Sequence, residues 1–176
     1  GATSCTPQTT LVSATSTGAA GDNQSSDPSI SGDGRYIAFK SVATNLVSGD
    51  TNGVGDVFVR DTCIGASGGC VPTTRLESVD NVGTAGSGAS GHPSIDATGR
   101  YVGFESSSAL VSADQNLGSD VYLRDTCAGA QSCTPTTTMK HAATNELRSS
   151  ATLLATTSGP VIRPRASRPP SAISTS

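Results

Sequence analysis

The chain has 176 residues, a net charge of −3, 34% hydrophobic and 3% aromatic residues, and no tryptophan. That length suffices for one domain with a buried core, but so few large apolar residues argue against a helical or doubly wound fold and for short strands between Gly- and Asp-rich turns. The charge gives no basic footprint for nucleic acid, and no apolar run approaches the roughly 18 residues of a membrane-spanning helix. No signal peptide opens the chain; because its first residues already belong to the repeat traced below, a mature or truncated chain is expected rather than a cytosolic one.

In chain order, Cys5-Thr6-Pro7-Gln8-Thr9-Thr10 comes first and matches Cys70-Val71-Pro72-Thr73-Thr74 and Cys133-Thr134-Pro135-Thr136-Thr137. Residues 1–20 are therefore expected to carry the last strand of a preceding unit. A complete unit over 21–80 follows. Its strands are predicted at 28–31, 35–41, 56–62 and 73–79. Gly32-Asp33-Gly34 makes the first hairpin turn, where glycine supplies positive φ, and residues 45–55 form a longer loop. In the second strand Tyr36 and Ala38 fall on one face, Ile37 and Phe39 on the other. Apolar residues on both faces require a cover on both sides of the sheet, which a stack of like sheets provides.

After the Gly-rich linker 81–91 the pattern returns over 81–140, with a period of about 65 residues. His92-Pro93-Ser94-Ile95 answers Asp27-Pro28-Ser29-Ile30, and Gly99-Arg100-Tyr101-Val102-Gly103-Phe104 answers Gly34-Arg35-Tyr36-Ile37-Ala38-Phe39. After a one-residue deletion, Ala109-Leu110-Val111-Ser112 answers Asn45-Leu46-Val47-Ser48. Thr98 replaces Asp33, so the second hairpin turn is expected to keep only its glycine, and Leu117 replaces Gly53. Four short antiparallel strands per unit, repeated in register, are the signature of propeller blades; a β-sandwich is the runner-up. The fold class is thus all-β: about two four-stranded blades of an incomplete ring, then an irregular or disordered tail over 141–176. About two blades do not close a ring, so either a longer propeller chain or association of copies is expected to complete it.

The five cysteines follow the same register. Cys63 with Cys70, and Cys127 with Cys133, flank short Gly/Ala/Ser loops at spacings unlike those of zinc sites. Two local disulfides in an oxidising compartment are expected, each worth about 2–3 kcal/mol in the chain-entropy model, with the partner of Cys5 upstream. Buried reduced thiols are the alternative, which leaves the recurrence in register unexplained.

Pro28-Ser29-Ile30-Ser31-Gly32-Asp33-Gly34-Arg35-Tyr36-Ile37-Ala38-Phe39 resembles the Pro-x-x-Ser-x-Asp-Gly-x-x-Ile-Ala-Phe repeat of TolB-like β-propellers. The continuation through Asp56-Val57-Phe58-Val59-Arg60-Asp61 is similar to that of large secreted or periplasmic bacterial propeller proteins. The resemblance spans roughly residues 5–140. It implies a blade and an extracellular or periplasmic setting, but no particular activity, because propellers host binding, scaffolding and catalysis alike.

Two readings stand for the acids that precede the third strand. Asp50, Asn52 and Asp56, with Asp114, Asn116 and Asp120 repeating them, resemble the start of a calcium loop. Asp61 falls where such a loop needs its final acid, yet an extended chain separates it from Asp56 by about 16 Å at roughly 3.3 Å per residue. The main expectation is structural: Asp and Asn close turns on nearby amides, with Asp33, Gly34, Arg35, Gly99 and Arg100 at the hairpins, and Arg60 and Arg124 pair with carboxylates of an adjacent blade. Calcium is the second reading; no other cofactor is expected.

No nucleophile elbow, Walker loop, dinucleotide fingerprint or HExxH motif is present, and the histidines are His92 and His141. A catalytic acid should break the repeat, which leaves Glu77 and Glu105 as candidates. The sequence points to a non-catalytic binding or scaffold module whose blade loops take a protein or an envelope glycan. The accessory propeller of a glycosidase or peptidase is the alternative.

Overall fold

The computed structural model describes residues 7–116 and 118–140; Cys5, Leu117, His141 and the expected tail lie outside them. Among the described residues there is no helix, and eight strands form two antiparallel four-stranded sheets. The first holds β1 (Ser25–Ile30), β2 (Tyr36–Ser41), β3 (Asp56–Asp61) and β4 (Thr73–Leu76) in sequential order. The second repeats it with β5 (Ser90–Ile95), β6 (Tyr101–Ser106), β7 (Asp120–Asp125) and β8 (Thr136–Met139). The two sheets do not close into a ring; they are two propeller-like blades. Residues 7–20 contribute an isolated bridge, Ala14 to Ala20, which Val79 and Ala85 repeat ahead of the second blade.

Strand β1 starts at Ser25, before the proline where it was expected, because a bulge between Ser26 and Ser29 carries the ladder past Pro28. Proline donates no amide to a ladder, and a bulge is where a sheet tolerates one. At the bulge Asp27 has φ 53° and His92, its counterpart, φ 51°. Aspartate and histidine are both enriched in this left-handed region, which explains how one replaces the other.

The hairpin turns correct one expectation. In the first, the Asp33 carboxylate accepts from the Ser31 hydroxyl (2.6 Å) and the Arg35 amide (3.0 Å). In the second, Asp96 stands where Ser31 was and accepts from the Thr98 hydroxyl (2.7 Å) and the Tyr101 amide (2.9 Å). The second turn therefore keeps more than its glycine: carboxylate and hydroxyl have exchanged positions. Gly34 and Gly99 do take positive φ, 77° and 78°. At Gly99 a Cβ would also clash with the Tyr36 ring, since the second turn presses on the first blade.

The alternation within each strand decides what the core is. Ala38, Val57 and Val59 on one face of the first sheet meet Ile95, Val102, Phe104, Leu110 and Tyr122 of the second. Fully burying side chains of this size is worth about 1.5–3 kcal/mol each. Hydrogen bonds that fix the blades against each other include Ile95 N–H to Ser29 Oγ (3.1 Å), Gly32 N–H to Ala97 O (2.9 Å) and Ser90 N–H to Gly55 O (2.7 Å). The opposite face of the first blade holds a smaller cluster of Phe39, Ala43, Leu46 and Phe58.

Each blade repeats the same ring stack. Phe39 and Phe58 lie 5.8 Å apart at 24°, Phe104 and Tyr122 5.9 Å apart at 25°. The register agrees, with Phe39 opposite Phe58 and Phe104 opposite Tyr122. Tyr122 thus occupies in the second blade the place of Phe58 in the first.

Candidate functional site

The loop entering the third strand of each blade folds through local polar bonds. In the first blade Asn52 Oδ1 accepts from Val54 N–H (3.1 Å), while its Nδ2 donates to Asp56 Oδ2 (2.7 Å) and to Gly86 O (2.7 Å). Asp56 also accepts from Ser78 Oγ (2.6 Å). In the second blade Asn116 accepts from Gly118 N–H (2.6 Å) and donates to Asp120 (2.8 Å), and Asp114 accepts from Asn116 N–H (3.2 Å). Apart from the longer-range bonds to Gly86 and from Ser78, these are side-chain turn bonds. Burial pushes the Asp56 carboxyl above its ordinary value against the pull of Ser78 and Asn52.

The blades part company at the first acid of the loop. Asp114 is buried, and the Tyr122 hydroxyl donates to it. Burial, then that bond, pushes the Tyr122 phenol well above its ordinary value. Asp50 is equally buried, at 5% exposure, but Phe58 has no hydroxyl to offer. Among the described residues, the two Asp50 carboxylate oxygens are the only buried side-chain polar atoms without a hydrogen-bond partner. Burial and then the charge of Asp56 raise its carboxyl; Asp22 adds to this, and the nearby Asn52 amide opposes it without closing a hydrogen bond. Asp22 is itself held by the Thr44 amide (2.9 Å) and hydroxyl (3.0 Å). Its counterpart in the second blade is Ser87.

Asp61 joins none of these acids. Arg35 grips it through Nε (2.9 Å) and Nη2 (2.8 Å), and Arg100 does the same to Asp125 (2.9 and 2.7 Å). Each arginine also lies over the neighbouring tyrosine ring, at 4.9 Å from Tyr36 and 5.1 Å from Tyr101. Asp61 with Cys63 and Cys70, and Asp125 with Cys127 and Cys133, cluster closely enough to suggest metal ligands. Both cysteine pairs are disulfides, which offer no thiolate to a metal. Paired cysteines suit an oxidising compartment.

The expectation for the buried arginines holds in one blade and fails in the other. Arg124 pairs with Glu77 of the preceding blade at 3.1 Å and donates to Asp80 O and Thr137 Oγ1. Among the described residues Arg60 has no carboxylate partner, because Val12 stands where Glu77 would be. It donates instead to Ala14 O, Thr15 O and Thr74 Oγ1, and burial lowers its pKa. Glu77 is thereby consumed by a structural pair, its carboxyl raised by burial against the pull of Arg124. Glu105 is exposed and lies 3.3 Å from His92. The two candidate catalytic acids do not converge on one site.

Two surfaces flank the blades. On the first, a groove of about 470 Å³ is lined by Leu11, Val12, Pro28, Ile30, Ile37 and Phe39. On the second, Tyr101 and Val121 are 39% and 45% exposed. No protein-family model matches the chain, and a search of curated proteins finds no match.

The sequence carries the substitutions that separate Asp50 from Asp114, the aligned pairs Phe58/Tyr122 and Asp22/Ser87. What the alignment lacked was depth: alternation does not say that an acid in a Gly-rich loop is buried, or that a ring in the next strand carries its partner.

Proposed function

We propose that this chain is a non-catalytic scaffold or binding module made of TolB-like propeller blades, working outside the cytoplasm. One observation supports this above the others: the inner contact joins two faces whose repeat equivalents recur outside. The face of the second blade that carries Tyr101, Gly103 and Val121 corresponds by register to the Tyr36, Ala38 and Val57 face, which the second blade covers. The groove over Ile37 and Phe39 corresponds by register to the Val102 and Phe104 face, which packs on the Ala38 and Val57 face of the first blade. Each outer face is thus shaped to take a further blade of the same kind. The loops at the blade ends are left for a protein or glycan partner. The non-catalytic part of the reading is supported by Glu77 being spent on Arg124.

Light scattering on the non-reduced chain over a range of concentrations tests the stacking. A defined oligomer that Val121→Glu returns to single chains supports it. A single chain at every concentration, or an oligomer indifferent to Val121→Glu, contradicts it.

A further inference from the structure

We propose that Asp50 anchors a binding site for one hard divalent cation of the calcium type, in the first blade and not in the second. A carboxylate withdrawn from water and left without a partner is costly, and proteins meet that cost by pairing the charge, protonating it or giving it to a metal. Among the described residues no donor closes a hydrogen bond to either Asp50 oxygen, and the side chain is buried. The charges of Asp56 and Asp22 both act on it, and the Asn52 amide offsets them only in part. No basic side chain acts on Asp50 in return, the loop's polar groups being engaged with one another and with Asp56. Calcium accepts carboxylates, carbonyls and water in irregular geometry, so an unpaired buried carboxylate suits it better than it suits a cation of stricter geometry.

The second blade shows what removes the need for a cation. Tyr122 supplies a hydroxyl to Asp114, and Ser87 stands where Asp22 adds charge in the first blade. The backbone, the ring stack and the Asn-to-Asp bond are otherwise repeated. This inference does not depend on the scaffold reading, and oligomerisation and cation binding can each fail without the other.

Calorimetric titration of calcium chloride into the full 176-residue chain, disulfides intact and freed of metal with a chelator, tests it. One ion per chain is expected, with a melting temperature that rises with calcium concentration, since a ligand bound to the folded state alone stabilises it. Asp50→Asn should abolish both effects, and Asp114→Asn should leave them. Phe58→Tyr, which brings the second blade's hydroxyl to the first, should also abolish binding while the protein stays folded without metal. No binding by the parent chain, binding that survives Asp50→Asn, or equal loss in Asp114→Asn overturns the proposal. Magnesium chloride in the same cell should bind more weakly, because magnesium demands near-octahedral geometry and gives up water reluctantly; tighter binding of magnesium than of calcium overturns the calcium assignment.

Discussion

The two blades share a backbone plan and differ in how their buried charges are settled. In the second, Asp114 has a tyrosine hydroxyl and Arg124 has a glutamate. In the first, among the described residues, Asp50 has no hydrogen-bond partner and Arg60 is held by carbonyls and a threonine. The strands need apolar alternation, a bulge at the proline and a glycine at the turn, and both copies provide them. The buried polar groups need particular partners, and there the copies have diverged. The two copies share the scaffold and differ at the interior polar positions.

The largest effect is expected where a satisfied charge is broken. Glu77→Ala leaves Arg124 buried beside neutral acceptors and should cost about 3–5 kcal/mol. Arg60→Met in the first blade removes hydrogen bonds but strands no carboxylate, and should cost about 1–3 kcal/mol. Urea unfolding of both variants checks the ranking; equal losses would mean that the two arginines are equivalent after all.

Next come the hairpin glycines. Gly34→Ala and Gly99→Ala both force a side chain into the left-handed region, at about 1–2 kcal/mol each. Gly99→Ala also drives a methyl into the Tyr36 ring, adding about 1–3 kcal/mol of overpacking. The difference between their unfolding midpoints reports how tightly the second turn seats on the first blade.

The acids should respond to pH with opposite signs. Asp50 has a raised carboxyl in the folded state, so the fold binds its proton more tightly than the unfolded chain does. In chelator, Asp50 therefore costs stability above its folded pKa, and the cost fades as pH falls through that value. Asp50→Asn should be more stable than the parent near neutral pH by about 1–3 kcal/mol, with the gap closing toward pH ~4. Asp125 behaves in reverse: the Arg100 bonds hold its carboxyl below the ordinary value, so its contribution is present above that value and lost as acid protonates it. Because Arg100 is about one-third exposed, Asp125→Asn should cost less than ~1 kcal/mol, the smallest effect of the set. Unfolding curves across pH separate the two signs.

Much of the architecture was legible because repetition averages out noise. The Gly-Arg-Tyr hairpins, the paired cysteines and the two-sided apolar strands gave the blades and their order. Strand β1 was misplaced because a proline reads as a strand boundary until the bulge that accommodates it is seen. The second turn was misread by comparing Asp33 with Thr98 alone, when the bond is shared with position 31 and reappears through Asp96. Burial of Asp50 was not legible at all. It depends on how the loop packs against the rest of the blade, a tertiary matter without a local signature.

The central claim, that one buried acid lacks what the other has, is tested most directly by exchanging the two rings. Stabilities of Phe58→Tyr and Tyr122→Phe are to be measured in chelator. Phe58→Tyr should gain about 0.5–1.5 kcal/mol by giving Asp50 a donor, and Tyr122→Phe should lose about 1–3 kcal/mol by taking one from Asp114. Changes of the same sign in the two variants would contradict the account.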